Sequence, residues 1–167
     1  MSTATVVSTV PGAIGTLQTH FDNVAAANPT LNLGVFVGDP TGELPNNYLM
    51  IGSWPEGNLI DGYEGGFPWL QANGYEKSED YKVTCHLRVW GGDVDQLGRL
   101  TDAFTVIDGV LSELTGDVGG SSSLSSSGSW QVTDIANPLT GPMGAVGGWG
   151  LIFTFDVHVV NVRLSSQ

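Results

Sequence analysis

The chain has 167 residues, 41% of them apolar, with 17 acidic against 5 basic side chains for a formal charge of −12. Length and apolar content predict a single domain over 1–167 whose core is large enough to fold without staples. One cysteine, Cys85, leaves no intrachain disulfide and no multi-cysteine metal cage, and the acidic balance repels phosphate backbones, which argues against sequence-reading of nucleic acid.

The first segment, Met1 to Pro11, has neither a basic residue nor a long apolar run, so no secretory signal is expected there. From Thr9 to Asn28 the spacing of Ile14, Leu17, Phe21 and Val24 predicts a helix with one apolar face. Thr9 is its expected cap, and Asn28-Pro29 its stop, because the residue before proline is pushed out of the α region. Leu31–Val37 and Asn47–Trp54 are runs of strand-formers separated by the turn residues Gly38 to Gly42, a pattern that predicts a hairpin. Between Pro55 and Ser78 the density of glycine predicts a long loop or arm carrying Tyr63, Phe67, Trp69 and Tyr75, with Trp54 just before it.

Tyr81 to Trp90 alternates apolar and polar residues, the period of a half-buried strand, with Tyr81, Val83, Cys85, Leu87 and Val89 on the apolar side. After Gly91-Gly92, with Asp93 as the expected cap, Val94, Leu97, Leu100, Phe104, Ile107, Leu111 and Leu114 step by threes and fours. This predicts a long amphipathic helix, stopped by Gly116, whose face of Leu97, Leu100, Phe104, Ile107 and Leu111 lies on the sheet. Arg99, Thr101, Asp102 and Asp108 are expected to face outward.

The Gly/Ser-rich stretch Gly119–Ser129 reads as an internal loop, Ser129–Ala136 as a strand, and Asn137–Gly148 as a loop. Trp149–Leu164 reads as a long closing strand; its most apolar part, Trp149 to Val160, is interrupted by Thr154, Asp156 and His158 and is too short and polar to span a bilayer, so a soluble protein is expected. The strand's apolar residues change parity after Val159, which predicts a bulge or a change of burial partner there. The order of elements predicts an α+β domain: a mixed, mostly antiparallel sheet of about four to five strands with two helices packed on one face.

Chemistry is sparse. Gly144, Gly147, Gly148 and Gly150 precede a strand, whereas a phosphate-cradling loop opens a helix. Asp156 and His158 share a strand face and His86 is placed to approach them, a minimal metal or acid-base cluster that is weighed against ordinary hydrogen-bonded groups on a polar face. Cys85 reads as a small core residue rather than a nucleophile. Metal, cofactor and catalytic residues are therefore all expected to be absent. The aromatics Trp54, Tyr63, Phe67, Trp69 and Tyr75 are the candidate functional residues: a sugar or ligand platform and internal loop packing are alternatives, and contact with a neighbouring subunit is favoured because tryptophan and tyrosine concentrate at interface anchors.

The run YKVTCHLRVWGGDVD (Tyr81–Asp95), followed by a helix containing Arg99, Ala103-Phe104 and Leu111, resembles the central strand-helix unit of actinobacteriophage minor tail proteins. With Trp130-Gln131-Val132 and a final strand carrying Phe155, Val157 and Val162-Arg163-Leu164, the pattern is similar to siphophage tail terminators of the lambda type. The resemblance covers roughly Tyr81 to Leu164. It implies a homohexameric ring in the virion neck, assembled in the host cytoplasm. Such a ring caps the tail tube protein, halts its polymerisation and meets the head connector or stopper, while DNA passes through the lumen without specific binding. The alternatives are another neck or tail protein, such as a stopper or tube subunit, or a small metal- or ligand-binding enzyme domain using Asp156 and His158.

Overall fold

A computed structural model describes residues 10–38, 44–52, 61–66, 69–70, 74–92, 95–116, 129–133, 139–142 and 148–165. Helix α1 spans Val10–Ala27 and buries Ala13, Leu17, Phe21 and Val24, with Ile14 half-buried beside them. The expected cap, Thr9, lies outside the described residues. At the other end the Asn28 amide donates to the Val24 carbonyl at 2.8 Å, satisfying one of the acceptors a helix terminus leaves open.

A 3-10 turn over Pro29–Leu31 and a left-handed Asn32 (φ 47°) deliver the chain to strand β1, Gly34–Val37. Strand β2, Tyr48–Ile51, pairs with β1 in parallel, Gly34 opposite Tyr48 and Val37 opposite Ile51. The expected hairpin is thus corrected. The intervening turn residues interrupt the strands without setting the direction of pairing, and residues 38–47 are enough chain to return β2 to the same end as β1.

Where it is described, the glycine-rich segment forms strands and not the expected loop. Strand β3 is Asp61–Gly66 and β4 is Trp69–Leu70, both antiparallel to β5, Gly74–Gly91. Within β5, Tyr81, Val83, Cys85, Leu87 and Val89 are fully buried while the residues between them are half-buried. Helix α2 runs from Gln96 to Gly116. Its described cap is Asp95, whose carboxylate accepts from the Gly98 N–H at 2.9 Å, while Asp93 lies outside the described residues.

Strand β6 is Ser129–Thr133, β7 is Leu139–Pro142 where a loop was expected, and β8 is Trp149–Ser165. The sheet runs β1-β2-β5-β8-β6, with β3 and β4 also pairing β5 and β7 also pairing β8. Every pairing but β1 with β2 is antiparallel, so the chain has the expected α+β architecture. The expected bulge is present: Tyr81 opposes Val159 but Glu79 opposes Val162, so β8 carries one extra residue between them.

Both helices cover one face, where Phe21, Leu17, Val106 and Val110 meet Tyr81, Leu87, Phe153 and Phe155 in one apolar cluster. Each fully buried side chain of this size contributes about 1.5–3 kcal/mol. The inner face of α2 is a correction. Ala103, Val106, Ile107, Val110 and Leu114 are buried, whereas Leu97 is 74% exposed, Phe104 48%, and Leu100 and Leu111 each 36%. Small residues explain the choice: a Cβ on Gly109 would sit 3.3 Å from Val24, so α2 approaches α1 closely along its slimmest side. His20 Nδ1 and Glu113 Oε2, 2.9 Å apart, tie the two helices, and Asn23 also donates to Glu113 at 3.2 Å. These partners hold the Glu113 carboxyl below its ordinary value, His20 being the larger influence.

Candidate functional site

The face of β5 and β8 away from the helices collects the polar residues singled out by sequence. In register, Lys82 opposes His158, Thr84 opposes Asp156, His86 opposes Thr154 and Arg88 opposes Ile152. Period-2 alternation produces this row, since every second residue of each strand is committed to the core. His86, Asp156 and His158 therefore do share one face. Each is engaged separately: the Thr84 hydroxyl donates to Asp156 Oδ1 at 2.8 Å, His86 Nδ1 lies 3.1 Å from the Thr154 hydroxyl, and His158 Nε2 pairs with Asp80. Among the described residues no group of His, Cys, Asp and Glu could hold a metal ion.

Burial lowers the His86 pKa, and the nearby Asp156 charge opposes that shift only in part. A neutral imidazole is what the Thr154 hydroxyl meets at neutral pH. Cys85 lies on the opposite face, fully buried, and burial followed by the Asp156 charge pushes its thiol well above the ordinary value. A thiol so placed stays protonated and is a weak nucleophile. The row supports hydrogen bonding between strands, with His158 and Asp80 an imidazole–carboxylate pair on it.

Of the expected interface aromatics, Tyr63 lies in β3, and Trp69 of β4 stands opposite Tyr75 of β5 in register. The backbone thus gathers three of the five onto one antiparallel arm. Trp54 and Phe67 lie outside the described residues.

Two further features escaped the sequence reading. One is the exposed stripe of Leu97, Leu100, Phe104 and Leu111, on the flank of α2 turned away from α1. Phe104 also packs edge-on against the buried Phe153, ring centroids 5.4 Å apart, so it is anchored while half its surface faces solvent. The alternative stripe of Ala103, Val106 and Val110 was the signal that could have separated the two faces. The other feature is Arg88, whose guanidinium lies 5.9 Å from the Tyr48 ring centroid and whose buried Nε has no hydrogen-bond partner among the described residues. Nothing in the sequence distinguishes it from the other polar residues of the strand.

No family model matches the chain, and no curated protein resembles it in sequence. Among solved structures it is similar to a chain of the virion of a native gene transfer agent particle, at 13% identity over 92% of each chain with a TM-score of 0.40. A likeness of that size settles neither fold nor role.

Proposed function

We propose that the chain is a non-catalytic structural subunit of a phage-type tail, acting as the terminator ring that caps the tail tube and meets the head connector. The observation that carries this reading is the β5–β8 ribbon. In it β5 and β8 pair from Glu76 opposite Ser165 to Gly91 opposite Trp149, with β3 and β4 alongside β5. A long antiparallel ribbon with further short strands alongside it is suited to meet a neighbouring subunit, and those strands include Tyr63, Trp69 and Tyr75. The tail-terminator pattern over Tyr81–Leu164 points the same way, and a charge of −12 suits a conduit through which DNA must slide without sticking.

Electron microscopy of the purified protein, alone and mixed with tail tubes, tests this. Closed rings that seat on tube ends are the expected result. Filaments formed by the protein alone would assign it as a tube subunit instead, and normal tails joined to heads in its genetic absence would overturn the reading.

A further inference from the structure

Among the described residues, two surfaces each set large apolar side chains beside a charge that no described residue pairs with, and the charges are opposite. The first is the outer flank of α2. Asp108 is exposed on it, one turn after Phe104 and three residues before Leu111, and no described residue pairs with it. The second surrounds Arg88 on the helix-free face of the sheet. Ile152 stands opposite Arg88 on one side and Tyr48 on the other, while His86 and Trp90 are its same-face neighbours along the strand. Tyr48 is 8% exposed and its ring also meets Phe36 edge-on, so the platform under the guanidinium is fixed. Although the chain has 17 acidic residues, the buried Nε of Arg88 has no acceptor among the described residues.

We propose that these two surfaces are the halves of one interface between copies of this chain, with Asp108 of one copy paired to Arg88 of the next. This rests on the assembly reading above and names the contact that makes it. The halves lie on opposite layers of the molecule, helix side and sheet side, so docking is heterologous: each copy gives one surface and receives the other, as a closing ring requires. Charge complementarity selects this occupant. An unrelated apolar helix would cover the stripe equally well, but it would leave Asp108 and Arg88 each desolvated without a counter-charge. The planar guanidinium, held against Tyr48, keeps its terminal nitrogens for a two-point bond to a carboxylate.

The test is sedimentation velocity on the whole chain as wild type, Arg88→Glu, Asp108→Lys, and an equimolar mixture of the two variants. Each variant alone places like charges together and weakens self-association at least about thirtyfold. If the variants alternate in the mixture, the introduced glutamate meets the introduced lysine at one junction and the native Arg88 meets the native Asp108 at the next. Assembly then returns, with an even number of subunits. Should Arg88→Glu fail to fold by circular dichroism, Arg88→Gln serves, and it weakens association while flattening its dependence on salt. Single variants that assemble like wild type, or a mixture that stays as dissociated as its components, overturn the contact while leaving the assembly reading intact. A wild-type chain that stays monomeric at every concentration overturns the assembly reading itself.

Discussion

The backbone N–H of Trp90 donates to the side-chain oxygen of Asn47 at 2.8 Å, and the amide of the same asparagine donates to the Leu31 carbonyl at 2.7 Å. One side chain thereby fastens the end of β5 to the segment entering β1, at the point where the Asn47 carbonyl also accepts from Gly34 at 3.0 Å. Replacing Asn47 with alanine removes both side-chain bonds and leaves a donor and an acceptor of the backbone without partners. The expected loss is about 2–3 kcal/mol of unfolding free energy. Asn47→Asp keeps the acceptor for Trp90 but sets a carboxylate oxygen against the Leu31 carbonyl, so it should lose more than alanine does. Urea unfolding of the two variants checks the order, and equal losses would remove the double role assigned to this residue.

Gly148 has φ +105°, and a Cβ built on it would lie 2.5 Å from the Gly91 carbonyl oxygen and 2.8 Å from the Trp90 ring. Both strain and contact oppose any side chain there. Gly148→Ala is expected to destabilise by about 2–4 kcal/mol. Thermal unfolding within about 1 °C of wild type, taking about 2–4 °C per kcal/mol for a domain of this size, would show that the turn rearranges freely.

The two faces of α2 separate cleanly by mutation. Ile107 is 4% exposed and faces the sheet, so Ile107→Ala should cost about 2–5 kcal/mol. Leu97, which is 74% exposed, should change stability by no more than about 0.5 kcal/mol when cut to alanine. Phe104→Ala should fall between them, since only the ring edge on Phe153 is lost. Denaturant midpoints for the three variants measured at a concentration that keeps the chain monomeric decide the order.

Stability should weaken with acid through His86. Its folded pKa is depressed, chiefly by burial, so the unfolded chain binds the proton more readily. The stabilising contribution is complete above the ordinary value of about 6.5 and is lost as pH falls through the lower folded value. Wild type should therefore lose more unfolding free energy between about pH 7 and pH 5 than His86→Gln does. A variant with the same pH slope as wild type would mean that the imidazole charges in place at little cost.

The parts of the fold legible in sequence are those in which one residue type repeats against a single environment. Tyr81 to Trp90 and Leu151 to Val159 alternate because each strand has one buried face, and the parity change that marks the bulge is visible for the same reason. Pairing direction was not legible, because residues 38–47 contain turn-formers in either topology. Strand β3 was hidden by its glycines and β4 by its two-residue length, both being held by the hydrogen bonds of β5 and not by local preference. On α2 two stripes of apolar residues overlap, and larger side chains drew the assignment to Leu97, Leu100 and Phe104, whereas close packing beside α1 selects the smaller set. Of the candidate site, the polar row was readable from period alone. The pairing state of Arg88 was not, since it depends on which neighbours three strands happen to supply.

The position of β8 in the sheet governs when the molecule can form. It is the last described strand, yet it lies between β5 and β6 and also holds β7, so β6 and β7 have no described partner, and β5 lacks one of its neighbours, until residues 149–165 exist. During synthesis the exposed flank of β5 must wait, with α1 and α2 already emerged and only half a sheet to rest on. Folding is therefore late and nearly all at once, and the preceding chain is the window in which a holding chaperone would be recruited or an incorrect pairing made. A nascent chain stalled at residue 148 should be digested readily by protease, and the same chain extended past residue 165 should resist it.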